Sequence, residues 1–138
     1  MPVQPYLFFE GRAEEAIELY KTVLNAEVVT LFRHKDAPPQ ASNAALPPNS
    51  ENKIMHAELK IGGGSVMISD GMCNGAPNFA GFYLSFATPD DASAHAIFNA
   101  LADGGRVTQP MMTTFFSSSF GMCVDKFGAP WMILTHPK

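Results

Sequence analysis

The chain has 138 residues, 46% hydrophobic and 16% charged, proportions that suit one globular domain able to bury about 68–70% of the surface its unfolded chain exposes. No window approaches the roughly 18 consecutive apolar residues of a membrane span, and the opening MPVQPYLFFEGR has no basic leader, apolar core or small-residue cleavage site, so the expected location is cytoplasmic. The formal net charge is −4 and the nine Lys and Arg are scattered, which argues against nucleic acid and membrane surfaces and leaves a small molecule as the expected partner.

VQPYLFF, residues 3–9, reads as a strand because aromatic and β-branched residues dominate it up to the break at Gly11. RAEEAIELYKTVL then repeats Ala13, Ala16, Ile17, Tyr20 and Leu24 at helical steps, with Glu14 and Glu15 in the first turn where the helix dipole favours anions. AEVVTLFRH (26–34) is a second strand, and the four prolines of the segment 36–52 end it in a long loop. IMHAELKI (54–61) alternates apolar Met55, Ala57, Leu59 and Ile61 with polar His56, Glu58 and Lys60, GGG turns the chain, and SVMISD (65–70) pairs back as a hairpin.

After a Gly/Pro/Asn linker at 71–78 the order restarts: FAGFYLSFA (79–87) as strand, PDDASAHAIFNALADGG (89–105) as helix, RVTQP as strand, a loop at 109–119, then FGMCVD and GAPWMILTH as a final pair. Pro89 with Asp90 and Gly104 with Gly105 are the start and stop chemistry of that helix. Each half is a βαβ-loop-ββ unit, and GGGSVMIS against FGAPWMIL places Met67 and Ile68 over Met132 and Ile133 at a constant offset. The expected architecture is α+β: a single domain over 1–138 made of two βαβββ modules (about 3–70 and 79–136) in a cupped sheet with helices outside.

Two such modules resemble the vicinal oxygen chelate superfamily of glyoxalases, bleomycin resistance proteins and dioxygenases. Within it YLFFEGRAEEAIELYKTVLNAE, HAELKIGGGSVMISD and DKFGAPWMI are similar to the PhnB-like subfamily, labelled 3-demethylubiquinone-9 3-methyltransferase. The resemblance implies metal ligands on the first and last strand of each module. Counted on this chain, those positions fall on Pro5, Met67, Gly81 (or Phe82) and Met132. None offers the imidazole or carboxylate such a cation wants, so neither metal nor cofactor is expected.

By strand parity, a cup-facing Met132 implies the same for Pro130 and Leu134, and the rule extends to Ser65, Met67 and Ser69, to Tyr83 and Ser85, and to Leu7 and Phe9. Trp131 and Ile133 would face the helices. The candidate ligand-binding set is therefore Phe9, Met67, Ser69, Tyr83, Phe116 and Met132, with Phe116 on the loop FFSSSF as a contact or lid residue. Eight Met and eleven Phe suit an apolar cavity, or an ordinary core. His56, with Glu58 as its partner, is the candidate acid–base pair; solvated sheet residues are the alternative reading of the same stripe. Glu10 is a further candidate at the cup mouth, and His34, His95 and His136 read as structural.

Cys73 and Cys123 form no CxxC pair and read as reduced thiols, with a disulfide as the alternative. GGG joins two strands and is no phosphate loop; the doubly wound sheet and strand-to-helix glycine turn usual for S-adenosylmethionine are missing from the pattern. The expected function is metal-free binding of a small, partly apolar molecule by a homodimer. The alternatives are a metal-dependent lyase, isomerase or dioxygenase, and a metal-independent enzyme using His56 and Glu58.

Overall fold

In the computed structural model, residues 2–37 and 46–136 are described; the central part of the expected loop, 38–45, lies outside the described residues. The chain divides into two compact units, Met1–Asn78 and Phe79–Lys138. The first contains β1 (Tyr6–Phe8), α1 (Ala13–Leu24), β2 (Glu27–Arg33), β3 (Ile54–Ile61) and β4 (Gly64–Ser69). The second contains β5 (Leu84–Thr88), α2 (Asp91–Ala102), β6 (Arg106–Met112), β7 (Phe120–Val124) and β8 (Pro130–Thr135). The sheets share one topology, β1-β4-β3-β2 and β5-β8-β7-β6, with the first pair of each parallel and the other pairs antiparallel. The α+β reading with two βαβββ repeats is therefore correct.

α1 forms where the apolar period predicts, and α2 lies between its predicted start and stop residues. In α1 the buried residues are Ala13, Ala16, Ile17, Tyr20 and Leu24, and Asn25 ends it in the left-handed conformation. In α2 the Asp90 side chain accepts the Ser93 N–H at 2.7 Å, an N-cap. Two strands start later than their apolar runs: β1 begins after Pro5, and β5 begins three residues after Gly81, whose φ is +80°. β6 runs on to Met112, two residues past Pro110, because it is an edge strand and no ladder bond is required of the proline.

One face of each sheet packs on its helix. In unit 1 that face carries Leu7, Ala57, Leu59, Val66 and Ile68, all buried, and each fully buried large aliphatic side chain among them contributes roughly 1.5–3 kcal/mol. In unit 2 it carries Trp131 and Ile133, and Gly121 beside Ile133 admits α2: a Cβ there would stand 2.8 Å from the Phe98 ring. The opposite face of each sheet is free of its helix, and no helix among the described residues is long and apolar enough to cross a membrane.

Candidate functional site

Cross-strand register sorts the open face of unit 1 into rows, because directly paired residues share a face. One row runs Phe8, Ser69, His56, Phe32 across β1, β4, β3 and β2; its neighbour runs Tyr6, Met67, Glu58, Thr30. Tyr6 lies parallel to Phe8, centroids 4.9 Å apart at 15°. Its Oη is 2.8 Å from His56 Nδ1. Burial pushes the Tyr6 phenol above its ordinary 10.0, and a hydrogen bond with Ser69 acts against that. Ser69, Tyr6 and His56 thus form a polar chain set in an aromatic strip, with Tyr6 39%, Phe8 45% and Phe32 47% exposed.

This placement corrects the parity of the first strand. Phe9 is 0% exposed, tilted against the Tyr20 ring of α1 at 6.3 Å, and Leu7 is buried beside Ile68. Both face the helix, so Phe9 is core and Tyr6 and Phe8 take the open positions. YLFF is large and apolar at every residue, and its alternation carries no face signal. Met67, Ser69, His56 and Glu58 do lie on the open face. The partner expected for His56 is different, however: Tyr6 holds the ring, and no hydrogen bond joins it to Glu58 among the described residues. Glu10 is also reassigned. It has φ +52°, its Oε1 accepts the Asn74 N–H at 3.2 Å and its carbonyl accepts that of Gly75 at 2.7 Å, so it pins the following linker.

In unit 2 the equivalent rows are Ser85, Met132, Met122, Gln109 and Ala87, Leu134, Phe120, Met112. Met132 and Tyr83 are on this face, and Tyr83 Oη donates to Thr108 Oγ1 at 3.1 Å. Those residues belong to opposite edges, separated by about 14 Å across three flat strand spacings, so the sheet curls towards this face. Phe116 stacks edge-on with Phe120 at 5.5 Å and with Phe115 at 5.3 Å. The open-face rows of unit 1 therefore carry the ionisable His56 and Glu58, while the equivalent rows of unit 2 carry thioethers and a phenyl ring.

The loop bearing Phe116 is fastened. Asp91 Oδ1, at the start of α2, accepts hydrogen bonds from Ser118 Oγ (2.6 Å), Thr135 Oγ1 (2.6 Å) and Ser119 Oγ (2.9 Å); His95 Nε2 is 3.5 Å from Ser119 Oγ. Buried Ser117 donates to the Thr135 and Ser119 carbonyls at 2.8 Å. The three side-chain hydroxyls hold the Asp91 carboxyl at about 2, below its ordinary 3.8. A depressed carboxyl stabilises the fold fully above its unfolded value and loses that contribution as pH falls through the folded one. NMR signals of residues 113–119 are expected to be flat above about pH 4 and to move with a midpoint of about 2, and Asp91→Asn removes that transition. A midpoint near 3.8 in the unsubstituted protein would contradict the fastening.

The positions where the superfamily places metal ligands have a poor donor set. Pro5 contributes only its carbonyl, which accepts the Met67 N–H at 2.9 Å; Gly81 precedes β5; and Tyr6 and Ser85 stand opposite the thioethers of Met67 and Met132. Phenol, hydroxyl and thioether do not fit a zinc, nickel, manganese or iron dication that wants imidazole and carboxylate. Among the described residues no three His, Cys, Asp or Glu converge. Both cysteines are free thiols, and burial pushes Cys123 up to about 11.

Comparison with known proteins gives a consistent family. The model described as 3-demethylubiquinone-9 3-methyltransferase matches residues 2–134. A solved Pseudomonas aeruginosa protein is 34% identical, covering 99% of this chain and 98% of its own, with a TM-score of 0.82. A PhnB protein from Bacillus cereus is 26% identical over 98% of this chain and 99% of its own, with a TM-score of 0.80. A glyoxalase/bleomycin resistance protein/dioxygenase domain from Frankia, 16% identical over 99% of this chain and 92% of its own, shares the fold with a TM-score of 0.64.

Proposed function

The chain belongs to the PhnB-like family described as 3-demethylubiquinone-9 3-methyltransferase, on the glyoxalase/bleomycin resistance fold, and from that premise we propose that it binds a small, partly apolar molecule without the superfamily's metal. The observation that carries this reading is the Tyr6–His56 hydrogen bond, 2.8 Å long, set in a half-exposed aromatic strip on the helix-free face of unit 1. A polar pair fixed within apolar walls is the chemistry of a small-molecule site. Fold alone assigns no activity. The methyltransferase description has little physical support here: each sheet has a single parallel pair, and the turn from β1 into α1 holds one glycine, Gly11, unlike a doubly wound nucleoside site.

The same reading places the protein in the cytoplasm as a homodimer. Edge strands β2 and β6 expose Val29 and Val107, apolar edge positions of the kind a second copy covers. A metal-independent enzyme with His56 as general base is a second reading, favoured by the same hydrogen bond, since a held imidazole is what proton transfer needs. Tyr6 rather than Glu58 is then the positioning residue.

The test combines elemental analysis of the purified protein with NMR screening of small aromatic compounds. Less than a stoichiometric metal, and ligand-induced shifts at Tyr6, His56 and Met67, are expected. Tyr6→Phe is expected to change stability by no more than about 1 kcal/mol and to weaken binding about fivefold, the worth of one neutral hydrogen bond. Stoichiometric zinc, nickel, manganese or iron that is lost, along with activity, in His56→Ala would establish the metal-dependent alternative instead.

A further inference from the structure

We propose that the open face of unit 1 takes a neutral aromatic hydroxyl compound, a phenol, and discriminates against aromatic carboxylates; this rests on the small-molecule reading above and names the ligand class of that same face.

The ring-binding surface is the aromatic strip. Tyr6 and Phe8 stack on each other, their planes 15° apart and their centroids 4.9 Å apart, so that a further ring can extend the stack, and Phe32 stands opposite His56 on β2. Flat conjugated rings stack on such surfaces, gaining about 0.5–1.5 kcal/mol beyond the area they bury.

The polar preference follows from what the two ionisable groups leave unused. His56 commits Nδ1 to Tyr6, and Nε2 has no partner among the described residues. Glu58 is two residues along β3 on the same face and makes neither hydrogen bond nor ion pair among the described residues. His56 and Glu58 share the open face two residues apart on β3, and the proposed position of the ligand oxygen is between the free imidazole nitrogen and the carboxylate. When Tyr6 donates to Nδ1, Nε2 carries the proton and donates to the ligand oxygen, which must then supply a hydrogen to Glu58. A hydroxyl does both. When Nδ1 is the donor, Nε2 is bare and accepts the hydroxyl proton. A carboxylate has no hydrogen to give in either case and brings a second negative charge beside Glu58. Lys60, the next residue on that stripe, is exposed and stays hydrated, so it screens Glu58 weakly.

The experiment titrates the isotope-labelled full chain at pH 7 with 2-naphthol, 2-naphthoate and naphthalene, following Tyr6, Phe8, Phe32 and His56 by NMR. 2-Naphthol is expected to move these signals and to bind about tenfold more tightly than 2-naphthoate, and Glu58→Gln, which keeps an acceptor and removes the charge, is expected to bring the two within about twofold. Equal or tighter binding of 2-naphthoate to the unsubstituted protein, or a ratio unchanged in Glu58→Gln, overturns the phenol assignment while small-molecule binding stands. If none of the three probes moves an open-face signal, the small-molecule reading fails, and the phenol assignment with it.

Discussion

Replacing Asp70 with alanine is expected to lower the unfolding free energy by about 4 kcal/mol, a large share of the roughly 5–15 kcal/mol of a domain this size. Asp70 is 1% exposed at the end of β4. Its Oδ1 accepts the N–H groups of Gly11 and Ala13 and its Oδ2 accepts that of Ile54, each at 2.8 Å. The Arg12 side chain at the N-cap of α1 makes no capping bond to the helix backbone and reaches Glu15 instead, so a carboxylate from the end of β4 does the capping and brings a negative charge to the positive end of the dipole. Alanine would leave three amides unpaired, each costing about 1–3 kcal/mol where water cannot replace the oxygen. Asparagine keeps an acceptor for one side and turns an NH2 towards the other, so about half the loss is expected. Urea denaturation of both variants measures this, and a loss under about 1 kcal/mol for alanine would mean that solvent reaches these amides.

The duplicated half solves the same problem with the chemistry reversed. The 65-residue offset from Met67 to Met132 also takes Asp70 to Thr135. At that place unit 2 has a hydroxyl on the strand and the carboxylate on the helix, Thr135 Oγ1 donating to Asp91 Oδ1 at 2.6 Å. The tie between last strand and helix start survives while its donor and acceptor have changed sides. Neither half of this exchange can be read from the sequence, because each needs two residues more than 40 positions apart to be known as neighbours.

What was legible follows the same division between local and distant information. The helices and β3 show themselves through periods of 3.6 and 2 within a dozen residues, and the repeat through the spacing of its turns. The open-face positions of His56 and Glu58 followed from alternation in β3, those of Met67 and Met132 from the ligand positions that the family resemblance implies, and that of Ser69 from its parity with Met67. Phe9 could not be placed that way, since Tyr6, Leu7, Phe8 and Phe9 would each serve a core. Only the parallel register Tyr6↔Met67 and Leu7↔Ile68 separates them. FFSSSF read as a contact or lid segment by composition, yet Ser118 and Ser119 donate to the Asp91 carboxylate 27 and 28 residues earlier in the chain and Ser117 to backbone carbonyls, which fastens the loop.

A second buried carboxylate carries the other large expected effect, and it has an optical readout. Asp125, 2% exposed, closes the turn between β7 and β8: Oδ1 accepts the N–H groups of Phe127 (2.9 Å) and Ala129 (3.0 Å), and Oδ2 accepts the indole N–H of Trp131 at 3.0 Å. The backbone closes the same turn, Asp125 N–H to the Ala129 carbonyl and Gly128 N–H to that of Asp125, with Gly128 at φ +94°. The side chain thus fixes at once the turn geometry and the indole orientation on the helix-facing side of β8. Asp125→Ala is expected to cost about 3–4 kcal/mol, three hydrogen bonds to a carboxylate less what the surviving backbone bonds retain. Trp131 is the chain's one tryptophan, so its emission should shift to the red as the indole N–H seeks another acceptor, well below the denaturation midpoint. Trp131→Phe removes the indole donor while keeping most of the apolar volume. In a double-mutant cycle the pair should couple by about 1–2 kcal/mol, the share of Asp125 that acts through the indole rather than through the turn. Coupling near zero would assign the whole effect to the Phe127 and Ala129 amides, and unchanged emission in Asp125→Ala would place the indole under the control of packing alone.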